Sequence, residues 1–192
     1  MKTNNGEKRI SGLHSLSLIS LLIAMIVVLR FVTRVVNAYG LSGDGSAVRA
    51  TVVIIGKGFL PKFGSCTAIN FLAGVLITLI MPSKEGLFTF MKYLTSGVVF
   101  DLLYFVLHDY PRKPILAGVA GIIGNLTQLI TKVILGHLVL GFSWNVLFAG
   151  MTVMAVTNVF FGFVFGFAAS QIFLKVEARF QYLNWHKSSL QR

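Results

Sequence analysis

Apolar residues run almost without interruption through six stretches of the chain, at 13–36, 48–60, 66–81, 87–107, 115–139 and 146–174. A bilayer core about 30 Å thick takes roughly 20 apolar residues per helical crossing. The first, fourth, fifth and sixth stretches meet that length. The second and third are short, and Gly56, Lys57, Gly58 and Pro61 interrupt the chain between them. Short or broken helices at membrane depth are tolerated where they pack inside protein or line a cavity. The pattern predicts an all-α polytopic membrane protein, a six-helix transmembrane bundle with both termini cytoplasmic. A membrane domain at 13–175 lies between a polar, unstructured tail at 1–12 and a basic tail at 176–192.

Composition agrees with that class. The chain is 55% hydrophobic and 12% charged, and its mean hydropathy is +0.80, far above a soluble domain. Lys and Arg number 17 against 6 Asp and Glu. In a soluble protein that balance points to nucleic acid. Here positive charge beside anionic headgroups accounts for it, and no loop is long enough to hold nucleic acid. With the N-terminus inside, the cytoplasmic side collects Lys2, Lys8, Arg9, Lys57, Lys62, Arg112, Lys113, Lys175, Arg179, Lys187 and Arg192. The outer loops hold Arg49 and Lys84. A cleaved leader at 13–36 is a weaker reading, because Arg30 and Arg34 stand before the small-residue site Val36-Asn37-Ala38.

Polar residues inside spans are costly and mark function or pairing. Arg30 and Arg34 share a face of the first helix, and Lys92 lies about one turn into the fourth. Asn125, Gln128 and Lys132 form one stripe on the fifth, and Trp144 and Asn145 open the sixth at the same level. Converging, these make a basic, hydrogen-bonding pocket open to the outside, suited to a small anionic ligand stacked on Trp144, Phe148 or Tyr39. Snorkelling to the headgroups is the competing reading for Arg30, Arg34, Lys92 and Lys132. Asp101 is the one acid deep in a span, and it pairs with a cation, stays protonated or couples protons. Asn70 and Asn158 suit helix–helix hydrogen bonds.

Enzyme chemistry finds no support. Asp44-Gly45-Ser46-Ala47-Val48-Arg49 matches part of the CDP-alcohol phosphotransferase signature, but the remaining metal-holding aspartates are absent. There is no His-Glu-x-x-His, no nucleophile elbow and no Walker loop. The four histidines offer no metal-ligand spacing, and no cofactor is expected. The lone Cys66 forms no internal disulfide. Asn125-Leu126-Thr127 fits a glycosylation sequon but lies within a predicted span.

The run SLISLLIAMIVVLR, the Gly-rich loop 37–47, the short broken helices, SKEGLFTFMKYLTSGVVFDLL and the closing FGFVFGFAAS together resemble the S components of energy-coupling factor transporters. That resemblance covers residues 13–175. It implies a six-helix subunit that captures a vitamin or related micronutrient from outside and carries out no chemistry. Its implied partners are an energising membrane subunit and two cytoplasmic ATPases. The implied substrate contacts are Arg34, Tyr39, Lys92, Asn125, Gln128, Lys132, Trp144 and Asn145, with Ser20 and Ala24 as the small-residue docking pair. Two alternatives stand beside it: a membrane scaffold using the Gly-rich sixth helix, and a solitary proton-coupled carrier using Asp101.

The predicted topology has a direct check. Cysteines placed at Asn5 and Ser188 should react only with membrane-permeant reagents in intact cells. Labelling of either by an impermeant reagent would overturn the orientation.

Overall fold

All six apolar runs form helices in the computed structural model, which describes residues 4–38, 45–81, 89–141 and 143–190. Among the described residues the order is α1 (Asn4–Ala38), α2 (Gly45–Phe59), α3 (Ser65–Ile80), α4 (Thr89–Val106), α5 (Pro114–Leu140) and α6 (Trp144–Leu190), with a 3-10 turn at Tyr110–Arg112 before α5. Four segments are long and apolar enough to cross a membrane: Ser15–Val35, Thr89–Val106, Pro114–Val139 and Met154–Arg179. The molecule is an α-helical membrane bundle. Helix α1 begins inside the segment read as an unstructured tail, and α6 runs unbroken through the segment read as a separate basic tail.

Helix α2 has 15 residues, about 22 Å at the α-helical rise and too short to cross unaided. It is the inner element, packed against α1, α3, α5 and α6. Ala50, Val52, Val53 and Ile54 are buried on successive faces, which explains why, Arg49 and Thr51 apart, the run AVRATVVII is apolar on several sides rather than striped. The large apolar side chains that remain exposed, such as Leu21 and Phe31 on α1 and Phe105 and Val106 on α4, face outward toward lipid. Helix α1 packs chiefly on α2 and α3 and leaves much of its surface outside the bundle.

Glycine sets how closely α5 and α6 approach. A Cβ at Gly121 would collide with the carbonyl oxygen of Gly162, and one at Gly166 with that of Ala117. These contacts are backbone on backbone, the close packing that small residues permit between membrane helices. They also define an antiparallel register: Ala117 meets Gly166, and Gly121 meets Gly162 one turn further along. A third glycine contact lies between α3 and α4, where Gly97 seats against the Cys66 carbonyl and the Thr67 backbone.

The three connections α2–α3, α4–α5 and the passage of α6 past Arg179 share one end of the bundle. Exposed Lys62, Arg112, Lys113, Lys175 and Arg179 make it basic. Arg112 ties this end together through a 2.7 Å ion pair from the α4–α5 turn to Glu177 of α6. The opposite end carries the start of α2 and the end of α1, where Gly45 lies against Arg30 and Thr33.

Replacing Gly121 or Gly166 with Ala should cost about 1–3 kcal/mol, the range for overpacking a filled interior. Thermal unfolding in detergent, followed by helical circular dichroism, measures this. Gly58→Ala should cost less, because its obstacle is the side-chain ring of Phe173 and not backbone.

Candidate functional site

Two charges of α2 and α4 are fully buried. Lys57 Nζ lies 2.6 Å from Asp101 Oδ1, both side chains at 0% exposure. The ammonium also donates to the Lys62 carbonyl at 2.9 Å and sits 4.5 Å from the centroid of the Tyr104 ring. Asp101 Oδ2 accepts the Thr67 amide at 2.8 Å and the Thr67 hydroxyl at 2.7 Å. Its Oδ1 takes a longer bond of 3.4 Å from the Cys66 amide. Every contact on the carboxylate offers a proton, which is what an ionised buried acid requires.

Cys66 and Thr67 are the second and third residues of α3. Gly64, at its N-cap with φ 83°, has no side chain to cap the helix. Asp101 does that work from another helix, accepting the amide protons a local Ser or Asp would take and meeting the positive end of the α3 dipole. Ser65 turns back to bond the carbonyls of Leu60 and Lys62, closing the α2–α3 turn. At the same end Tyr110 is buried in the 3-10 turn; burial pushes its hydroxyl well above its ordinary value, so it stays neutral.

A second polar group lies nearer the middle. Arg49 of α2 is 3% exposed and donates to Asn70 Oδ1 of α3 at 2.9 Å and to Ser96 Oγ of α4 at 3.0 Å. Its guanidinium stands 5.0 Å from the Tyr93 ring centroid. Ser96 passes the chain on to the Gly124 carbonyl of α5 at 3.2 Å. Asn70 Nδ2 returns to the Cys66 carbonyl at 2.9 Å. The Cys66 peptide therefore bonds Asp101 on one side and Asn70 on the other, joining both groups into one ladder through α2, α3, α4 and α5.

The third group lies toward the opposite end. Ser46, near the start of α2, donates to Asn158 Oδ1 of α6 at 3.1 Å. Asn158 Nδ2 is taken by the Met154 carbonyl at 2.7 Å. Continuing the α5–α6 register by one turn beyond Gly121 and Gly162 brings Asn125 level with Asn158. Asn125 is 0% exposed. Neither its Nδ2 nor its Oδ1 has a hydrogen-bond partner among the described residues.

The sequence-predicted site residues differ in burial. Asn125 is interior. Gln128 is half-buried one turn outward, while Lys132, Arg34 and Asn145 are exposed and Lys92 is half-buried. Trp144 is 44% exposed and lies 4.2 Å, centroid to centroid, from the His137 ring. Tyr39, most of the Gly-rich loop and Lys84 lie outside the described residues, and nothing is described of the Phe148 side chain. Asn70 and Asn158 make the interhelical hydrogen bonds expected of them. Of the openings for Asp101, the geometry is that of pairing with a cation.

Two basic residues need correction. Lys57 and Arg49, counted as loop charges on opposite sides, are buried in α2. The Asp101 carboxylate and the Lys62 carbonyl compensate the first; Asn70, Ser96 and Tyr93 hold the second. The sequence signal was their spacing: eight residues apart, they fall on one side of a helix. Ser46 and Ser96 had no such signal, because their role depends on helices far away in sequence.

The interior polar ladder and apolar exterior mark a membrane protein with a built hydrogen-bonding core. Among the described residues no three His, Cys, Asp or Glu side chains gather as metal ligands. No family model matches the chain, and neither does any curated protein or solved structure.

Removing one member of the charge pair, as in Lys57→Met, should cost about 3–5 kcal/mol, since it strands a buried carboxylate. The double variant Lys57→Met with Asp101→Leu should recover much of that loss. It should fall short of the native protein by about 1 kcal/mol for the lost α3 cap. Denaturant unfolding in mixed micelles gives both numbers.

Proposed function

We propose that the chain is the substrate-binding subunit of an importer of the energy-coupling factor type, taking a vitamin or related micronutrient from outside the cell. In this reading the chain crosses the membrane several times, and the basic end with both termini faces the cytoplasm. Asn125 carries the reading. A fully buried amide with neither atom partnered among the described residues is expensive, and a ligand arriving between α2, α5 and α6 would satisfy it. Gln128 and Lys132 continue its stripe outward and provide the approach for a ligand that Arg34, Lys92, Trp144, Asn145 and Tyr39 would also contact.

Helix α1 supports the partner half of the proposal. Ser20 and Ala24 are both exposed, one turn apart, on a helix that commits only part of its surface to the bundle. A flat small-residue strip on that helix suits close docking of an energising membrane subunit, which two cytoplasmic ATPases would drive. The alternatives draw less from the geometry. Gly162 and Gly166, which a scaffold would offer, are already packed on α5. The carboxylate that a proton-coupled carrier would use is engaged by Lys57 and by the start of α3.

Affinity capture of the tagged protein from its own host, in mild detergent, tests the proposal. Two ATPases and a second membrane protein should co-purify, as identified by mass spectrometry. Recovery of the chain alone, with other membrane complexes intact, would reject it. Replacing Ser20 and Ala24 with Trp should abolish uptake and leave substrate binding in place.

A further inference from the structure

We infer that the ligand engaged at Asn125 presents an amide-type edge, with an N–H and a C=O side by side as in a lactam, imide or ureide. The inference rests on the binding-site reading above and narrows the chemistry of that site. It departs from the anionic ligand that Arg34, Lys92 and Lys132 suggest.

The side chain of Asn125 offers one kind of group at each tip: Nδ2 donates and Oδ1 accepts. Both are buried and both lack a partner among the described residues. A carboxylate presents only acceptors to these tips. It would pair with Nδ2 and set its negative charge against Oδ1. An ammonium fails in the opposite sense. One group that answers both tips is a cis-amide edge, which forms two parallel hydrogen bonds with a primary amide. The requirement survives exchange of the amide's nitrogen and oxygen, because the complementary edge simply turns over.

The neighbours reinforce this requirement. Asn158, level with Asn125 on α6, already directs Nδ2 to the Met154 carbonyl and Oδ1 to Ser46. The adjacent Gly124 carbonyl is taken by Ser96. One turn toward the basic end, Gly121 and Gly162 meet through backbone, so no side chain from those positions competes for the amide. The exposed cations Lys132 and Arg34 suit attraction of a ligand more than recognition of the edge that reaches Asn125.

Three planar probes of similar size separate the possibilities on the full chain in nanodiscs, with binding read by saturation-transfer NMR titration. Uracil carries the donor–acceptor edge, 1,3-dimethyluracil is the same ring without N–H, and benzoate offers acceptors alone. Uracil should bind at least about fivefold more tightly than either, the smallest effect expected for a buried hydrogen-bonding group left unpaired. Asn125→Leu and the smaller Asn125→Ala should both erase that preference. Equal or tighter binding of dimethyluracil or benzoate overturns the inference, as does a preference unchanged in the variants or an absence of saturable uracil binding. Should the Leu variant fail to fold, the Ala variant and the wild-type probe series decide. Recovery of the ATPases with failure of the probes defeats the ligand class alone. Selective uracil binding without ATPases defeats the importer and keeps the site.

Discussion

The buried pair of Lys57 and Asp101 is the interaction on which the bundle's arrangement depends. Neither charge could lie in an apolar interior alone, so each dictates where the other's helix must sit. The carboxylate also takes two amide protons and a hydroxyl proton from the start of α3. A single side chain on α4 thereby fixes the end of α2, the beginning of α3 and the turn between them. The short helices that could not span a bilayer unaided are held by polar contacts at their ends and apolar contacts along their sides.

Packing divides the molecule into parts of unequal commitment. Helices α5 and α6 meet backbone to backbone at Gly121, Gly162 and Gly166, leaving little room for relative adjustment. Helix α2 is enclosed and tied by Arg49 and Ser96 to the same framework. Helix α1 is the lightly held member, apolar on the outside and joined chiefly to α2 and α3. Around Asn125 and Asn158 the framework changes from glycine to amides, and polarity enters the α5–α6 interface one turn beyond the closest approach.

Much of this architecture was legible in the chain because hydrophobic length is a strong signal in a membrane protein. The six apolar runs became six helices, and the shortness of the second agrees with its place inside the bundle. The failures share one cause. Lys57 and Arg49 stand near the ends of an apolar run, where a loop charge and a buried charge look alike; only Asp101, Asn70 and Ser96 on other helices distinguish them. Asn125 was legible as a polar residue in a span, and its stripe with Gln128 and Lys132 gave its direction. That neither of its amide atoms has a partner among the described residues was not, since that depends on the packing of helices distant in sequence. The α3 cap was equally hidden, because a glycine at the cap position says only that the partner must come from elsewhere.

The capping of α3 by Asp101 bears on how the protein is made. Synthesis runs from the N-terminus, so Lys57 and the bare start of α3 leave the ribosome before the residue that satisfies them exists. Until α4 follows, α2 and α3 form a hairpin with an unmatched cation and unanswered amide protons at its tip, a poor passenger for hydrocarbon but a tolerable one at the headgroup level. The contacts that answer both therefore wait on α4.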